Sequence, residues 1–263
     1  MVFVDRNAPI GVFDSGVGGI SVLAECIRHL PGEDFIYFGD TLNAPYGTKT
    51  TEEVLHLSQG VADLLAGKGI KALVIACNTA TAAAAEALRE DHTRYPFPII
   101  GMEPALKLAK TEVGEAGRVL VLATPSTIAS EKYGRLLSRF GQNTVSLPCP
   151  GLMEFAERLE FDTPGLHRYL DELFQKAECR NPEAVVLGCT HYVFLKKAIS
   201  RHTGALLVDG NEGTARQLIR KLQEGDLLRD FKDGQPGRVT LLTSGGENSA
   251  KIMQSLLKES LAI

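Results

Sequence analysis

The sequence predicts an α/β protein of two similar parallel-sheet domains, related by duplication, with the active site at their interface. Three observations predict it. Short apolar runs alternate with helical stretches along the chain, the pattern of parallel strands covered by helices on both faces. A strand–polar turn–helix unit occurs twice, as APIGVFDSGVGG at 8–19 and GRVLVLATPSTI at 117–128. Two apolar runs, ALVIA and AVVLG, stop at Cys77 and Cys189, 112 residues apart, close to the 110 that separate Asp14 from Thr124. Nearly equal offsets favour duplication over the general likeness of α/β units.

The elements follow in order. IGVF (10–13) is a strand that leads through DSGVGG into a helix rich in Leu, Ile and Ala. DFIYFGD (34–40) is a second strand, and EEVLHLSQGVADLLAGKG (52–69) has apolar residues at helical spacing with a glycine stop. ALVIA (72–76) is a third strand, TATAAAAEALRE (79–90) an alanine-rich helix, and FPIIG (97–101) a fourth strand. RVLVLA (118–123) opens the second cycle, with one helix expected across IASEKYGRLLSRF (128–140). NTVSLP (143–148), AVVLG (184–188) and ALLVD (205–209) complete its strands. VTLLTSGGENSAKIM (239–253) reads as one more strand and helix, returning to the first half. The expected domains are 1–99 plus 210–263, and 100–209.

Composition narrows the class. The 263 residues are 44% hydrophobic and 23% charged, with net charge −4, which is ordinary for a globular protein. Lys and Arg form no run, so neither a nucleic-acid nor a membrane surface is expected. No apolar stretch reaches the ~18 residues of a membrane helix, and MVFVDRNAP, which runs straight into a strand, is not expected to be a signal segment. Five cysteines, without a C-x-x-C pair, read as free thiols in a cytoplasmic protein.

Ligands of open parallel sheets bind at the carboxyl ends of the strands. Asp14 and Ser15, Asp40, Cys77-Asn78-Thr79, Thr124 to Thr127 and Cys189-Thr190-His191 stand there. Helix N-termini follow most of them and offer N–H groups to an anion, so the expected ligand is small and carries a carboxylate or phosphate. A dinucleotide fits poorly: the loop reads G-x-G-G-x-S, and Asp14 would repel a pyrophosphate. No Walker lysine follows. Cys77, Cys189, His191 and Asp14 match no zinc spacing, so no metal is expected. Cys26 and Cys179 read as small core hydrophobes and Cys149 as core or loop. Cys77 and Cys189 differ because each precedes a helix N-terminus, a position that favours thiolate. A reaction that inverts a stereocentre needs a base on one face and an acid on the other, with the roles exchanged in reverse. Two identical thiols suit that symmetry.

FDSGVGGISV, YFGDTLNAPYG, ACNTAT, ATPSTIASEKY and LGCTHY, in this order between about residues 8 and 192, resemble the aspartate/glutamate racemase family, most closely its glutamate branch. TSG at 243–245 resembles the family's C-terminal segment. The resemblance implies cofactor-independent interconversion of L- and D-glutamate, which supplies peptidoglycan synthesis. It makes Cys77 the thiol that handles the proton of D-glutamate and Cys189 that of L-glutamate. It implies that Asp14 and His191 assist the two thiols and that Glu154 acts on the Cys189 side. Ser15, Pro45, Tyr46, Gly47, Asn78, Thr79, Thr124, Thr127 and Thr190 match substrate-binding positions. It also implies two α/β domains with the site between them, and a homodimer.

Each assignment has a structural alternative. Asp14 and the threonines could be helix caps, His191 a core or surface histidine, and Glu154 a solvated helix residue. Asp40 is left outside the catalytic set as an orienter of the PYG loop. The chain departs from the family's pattern at Leu42-Asn43-Ala44 and at Gly210-Asn211, which bears on loop packing rather than on the thiols. Two other functions compete: racemisation of aspartate or a related acid, and non-catalytic binding of an acidic amino acid.

Overall fold

The computed structural model describes residues 5–230 and 235–262. The chain forms two compact units, Met1–Met102 with Asn211–Ile263, and Glu103–Gly210.

In the first unit, β1 (Ile10–Asp14), α1 (Ile20–His29), β2 (Phe35–Gly39), α2 (Thr51–Ala66), β3 (Ala72–Ile75), α3 (Asn78–Glu90) and β4 (Ile99–Gly101) alternate. The second unit continues with α4 (Leu106–Val113), β5 (Val119–Ala123), α5 (Pro125–Ala129), α6 (Glu131–Phe140), β6 (Thr144–Pro148), α7 (Leu152–Glu157), α8 (Pro164–Lys176), β7 (Ala184–Leu187), α9 (Lys196–Ile199) and β8 (Leu206–Asp209). The chain then adds α10 (Asn211–Glu224), β9 (Val239–Thr243) and α11 (Glu247–Leu261) to the first unit.

Among the described residues every strand pairing is parallel. The first sheet runs β4-β3-β1-β2-β9 and the second β8-β7-β5-β6, so four strands of each follow one order and β9 is an addition beside β2. This two-sheet α/β architecture is the one expected from the alternating pattern. The register refines the repeat. Ile10 pairs with Phe35 and Ala72, and Val119 with Thr144 and Ala184. Ala123 therefore takes the place of Asp14, and Thr124 that of Ser15, one residue away from the correspondence read in the sequence.

Burial explains the strand composition. β1, β3, β5 and β7 are central and buried throughout. They are correspondingly continuous in Val, Ile, Leu and Phe, whereas the edge strands β6 and β9 are only partly covered. The helix expected over 128–140 is two helices. Ser130 takes an extended conformation, and its hydroxyl accepts from Tyr133 N, capping α6 instead of continuing α5. Thr50 and Glu53 form a reciprocal capping box that starts α2.

At the end of the first sheet remote from the cysteines, Lys71 Nζ lies 2.5 Å from Glu33 Oε2, with side chains 0% and 3% exposed. Arg229 N donates to Glu33 Oε1, and Arg229 pairs with Asp34. This buried network fastens the connector between α10 and β9 to the start of β2.

Candidate active site

β1 ends on Asp14, which is fully buried, and its Oδ1 accepts from Gly16 N at 2.8 Å. The glycine turn behind it is fixed by Tyr37, whose hydroxyl donates to Gly16 O. A Cβ at Gly19 would lie 2.6 Å from Asp14 Cβ, so glycine is what lets α1 start this close to the acid.

β3 delivers Cys77 to the N-cap of α3. The thiol is 7% exposed, accepts from Ala80 N at 3.4 Å, and lies 3.5 Å from Ser15 Oγ. A helix N–H aimed at sulfur interacts most strongly when the sulfur is charged. Asn78 and Thr79 follow in the first turn, both buried. Neither Asn78 Oδ1 nor Asn78 Nδ2 has a hydrogen-bond partner among the described residues. A buried primary amide left unpaired costs about 1–3 kcal/mol, which a ligand at that position would offset. Tyr46 is buried in the turn that carries Pro45 and Gly47, and its hydroxyl donates to Asp40 Oδ2 at 2.6 Å. Burial, then Asp40, pushes that phenol well above its ordinary range, and the charges of Cys77 and Asp14 add to the effect. Ser15, Asp14, Cys77 and Tyr46 thus share one neighbourhood within the first unit.

In the second unit β7 delivers Cys189, 8% exposed, ahead of a short 3-10 helix, Thr190–Leu195. Its Sγ lies 3.6 Å from His191 Nδ1, and His191 Nε2 lies 2.7 Å from Glu157 Oε1. The order thiol–imidazole–carboxylate fixes the ring from both sides. Burial opposes charging His191, but hydrogen bonds from Cys189 and Glu157, with their charges, outweigh it and raise its pKa well above the ordinary imidazole value. At the end of β5, Thr124 caps α5, and its hydroxyl donates to Thr127 Oγ1 at 2.9 Å. Thr190 is buried beside Cys189 in sequence.

Glu154, given to the Cys189 side by the resemblance, is solvated on α7 and pairs with Arg158, while the carboxylate that reaches His191 is Glu157, three residues on. The resemblance placed a glutamate here, but CPGLMEFAE holds two. Exposure and contact distinguish them: Glu157 is only partly exposed and meets His191 Nε2, while Glu154 faces out. The remaining cysteines are of another kind. Cys26 is fully buried, and burial pushes its thiol up to about 12. Burial likewise raises Cys149 and Cys179. Among the described residues no group of three His, Cys, Asp or Glu side chains is arranged to hold a metal ion, and no helix is long and apolar enough to cross a membrane.

The Asp/Glu/hydantoin racemase family model matches residues 10–218, a span that holds both cysteines and most of both sheets. The chain belongs to the Asp/Glu/hydantoin racemase family. Among relatives, a glutamate racemase of Clostridium botulinum strain Langeland is 45% identical over 243 residues, 91% of this chain and 92% of its own. Among solved racemases, the Francisella tularensis glutamate racemase in complex with D-glutamate superposes with a TM-score of 0.83 at 29% identity, covering 98% of this chain and 95% of that one. The Thermus thermophilus glutamate racemase in complex with β-chloro-D-alanine gives 0.82 at 36% identity, again covering 98% and 95%.

For a racemase, the Cys189–His191–Glu157 chain has a measurable consequence. The fold favours the charged form of His191, so its contribution to stability is complete below about pH 6.5 and is lost as pH rises through its raised folded value. Glu157→Gln removes one source of that rise. The His191 ring protons, followed by NMR, are expected to titrate at lower pH in the variant than in the parent. An unshifted midpoint would remove Glu157 from the role given to it here.

Proposed function

We propose that the chain is a cofactor-independent glutamate racemase that interconverts L- and D-glutamate by proton transfer at the α-carbon between two thiols. The observation that carries the reading is a cysteine at the same place in two sheets of the same strand order: Cys77 after β3 and Cys189 after β7. Binding alone needs neither thiol, which speaks against a non-catalytic binder. The relatives at 42–45% identity that are named glutamate racemases favour glutamate over aspartate.

In the L-to-D direction the Cys189 thiolate takes the α-proton, and the electron pair is delocalised into the α-carboxylate. The Cys77 thiol then gives its proton to the opposite face. The reverse reaction exchanges the roles. Asp14 assists at Cys77. His191, held by Glu157, assists at Cys189. Ser15, Pro45, Tyr46, Gly47, Asn78 and Thr79 from the first unit, with Thr124, Thr127 and Thr190 from the second, hold the two carboxylates and the amino group. The orphaned Asn78 amide supports this assignment most directly. We further propose a cytoplasmic homodimer that supplies D-glutamate for peptidoglycan synthesis, the assembly being readable by light scattering.

Circular dichroism of L- and D-glutamate, without added cofactor and after dialysis against chelator, tests the reaction. Turnover is expected in both directions. Activity lost to chelator and restored by a metal would sink the two-thiol mechanism. Aspartate is expected to react about 100-fold more slowly, because a missing methylene displaces the α-carbon by ~1 Å relative to two fixed thiols. Equal rates on the two acids would move the assignment to a broader acidic amino-acid racemase.

A further inference from the structure

We infer that Thr243 and Ser244, at the end of the added strand β9, are positioning residues that hold the loop carrying Pro45, Tyr46 and Gly47 against the substrate. This rests on the proposed reading of that loop as substrate-binding.

The loop joins β2 to α2 and is held from two sides. Its inner anchor is Asp40, 3% exposed. Asp40 accepts from the Tyr46 hydroxyl and, through both carboxylate oxygens, from Asn43 Nδ2 at 3.0 and 3.1 Å. Its outer anchor comes from the far end of the sequence. The β2–β9 ladder ends at Gly39 opposite Thr243. Hydrogen bonding continues past that rung. Ser244 N donates to Gly39 O, Thr41 Oγ1 lies 2.8 Å from Thr243 Oγ1, and Leu42 N donates to Ser244 Oγ at 3.0 Å. Thr243 Oγ1 also accepts from Gly245 N, which shapes its own turn.

Hydrophobic burial does not hold this part of the loop, because Leu42 is 73% exposed. The polar contacts to β9 are what remains to do so. Gly245 permits them: a Cβ there would lie 2.3 Å from Thr41 Oγ1 and 2.7 Å from Ser249 Oγ. The loop ends at the site itself, since Tyr46 lies in one buried cluster with Cys77 and with Phe13, the neighbour of Asp14. A C-terminal strand with no counterpart in the second sheet thus has a task specific to the first: it sets where the Pro45–Gly47 turn stands relative to Cys77. None of these residues touches the reacting atoms, so their effect is on binding geometry rather than on proton transfer.

The test compares the parent with Thr243→Val/Ser244→Ala, and with Ser244→Ala alone in case the double variant folds poorly. KM and kcat for both enantiomers of glutamate are measured together with hydrogen exchange across residues 40–47. In the double variant KM is expected to rise about tenfold for both enantiomers with kcat within about twofold, a fraction of the ~100-fold that an ångström of misplacement can cost. Exchange across 40–47 is expected to quicken, and Thr243→Ser to keep the parent's KM. In Ser244→Ala the same changes are expected at smaller size. A merely structural role would lower thermal stability and active fraction, hence kcat, and leave KM alone. Parent-like KM, or unaltered loop exchange, would overturn the inference. If the parent itself fails to turn over glutamate, the proposed function falls instead, and loop exchange alone decides whether β9 fastens the loop.

Discussion

Replacing either Cys77 or Cys189 by serine is expected to lower racemisation of glutamate in both directions by on the order of 10⁴-fold, the upper range for loss of a positioned acid or base. A serine hydroxyl is nearly useless as a base at neutral pH. Each thiol must act once in every turnover, as base in one direction and acid in the other, so no direction escapes. Cys26→Ser provides the control. That thiol is fully buried, with its pKa pushed up to about 12, and it packs on α1 rather than at a strand end. Its replacement costs some stability and leaves the rate per folded molecule unchanged. Near-normal racemisation by Cys77→Ser or Cys189→Ser would mean that the cysteine is structural, and the likeness of the two sheets would carry no chemistry.

The largest expected effect on stability lies elsewhere. Lys71→Met leaves the buried Glu33 carboxylate without its nearest cation, and is expected to cost about 3–5 kcal/mol. Adding Glu33→Gln removes the stranded charge while keeping an acceptor for Arg229 N, so the double variant should recover more than half of the loss. Urea unfolding of the four proteins gives the coupling directly. A single-variant loss below about 1 kcal/mol would show that water or Arg229 already compensates Glu33.

Periodicity and turn chemistry made the strands, their order of appearance and the two cysteines legible, because these are local signals. Cys77 and Cys189 declared themselves by ending apolar runs just before helix starts. What escaped was set by partners distant in sequence or by local competition. Ser130 could continue a helix or cap a new one, and the capping hydrogen bond to Tyr133 decided it. Glu154 and Glu157 stand in one short motif, and only the contact itself tells which meets His191, 34 residues away from Glu157. The pairing of Lys71 with Glu33 carries no sequence mark, since a lone lysine before a strand reads as solvated. The service of Thr243 and Ser244 to the loop near Tyr46 spans 202 residues. The departure at Leu42-Asn43-Ala44 proved informative: Asn43 joins Tyr46 in tying the loop to Asp40.

The division of labour between the thiols can be read without complete racemisation. An analogue of glutamate with a β leaving group loses its α-proton to one thiol and then expels the leaving group, so a single competent cysteine suffices. Cys189→Ser is expected to eliminate from the D-analogue alone and Cys77→Ser from the L-analogue alone, with each variant inert in racemisation. If both variants process the same enantiomer, the thiols do not serve opposite faces of one α-carbon, and the two-base mechanism is wrong.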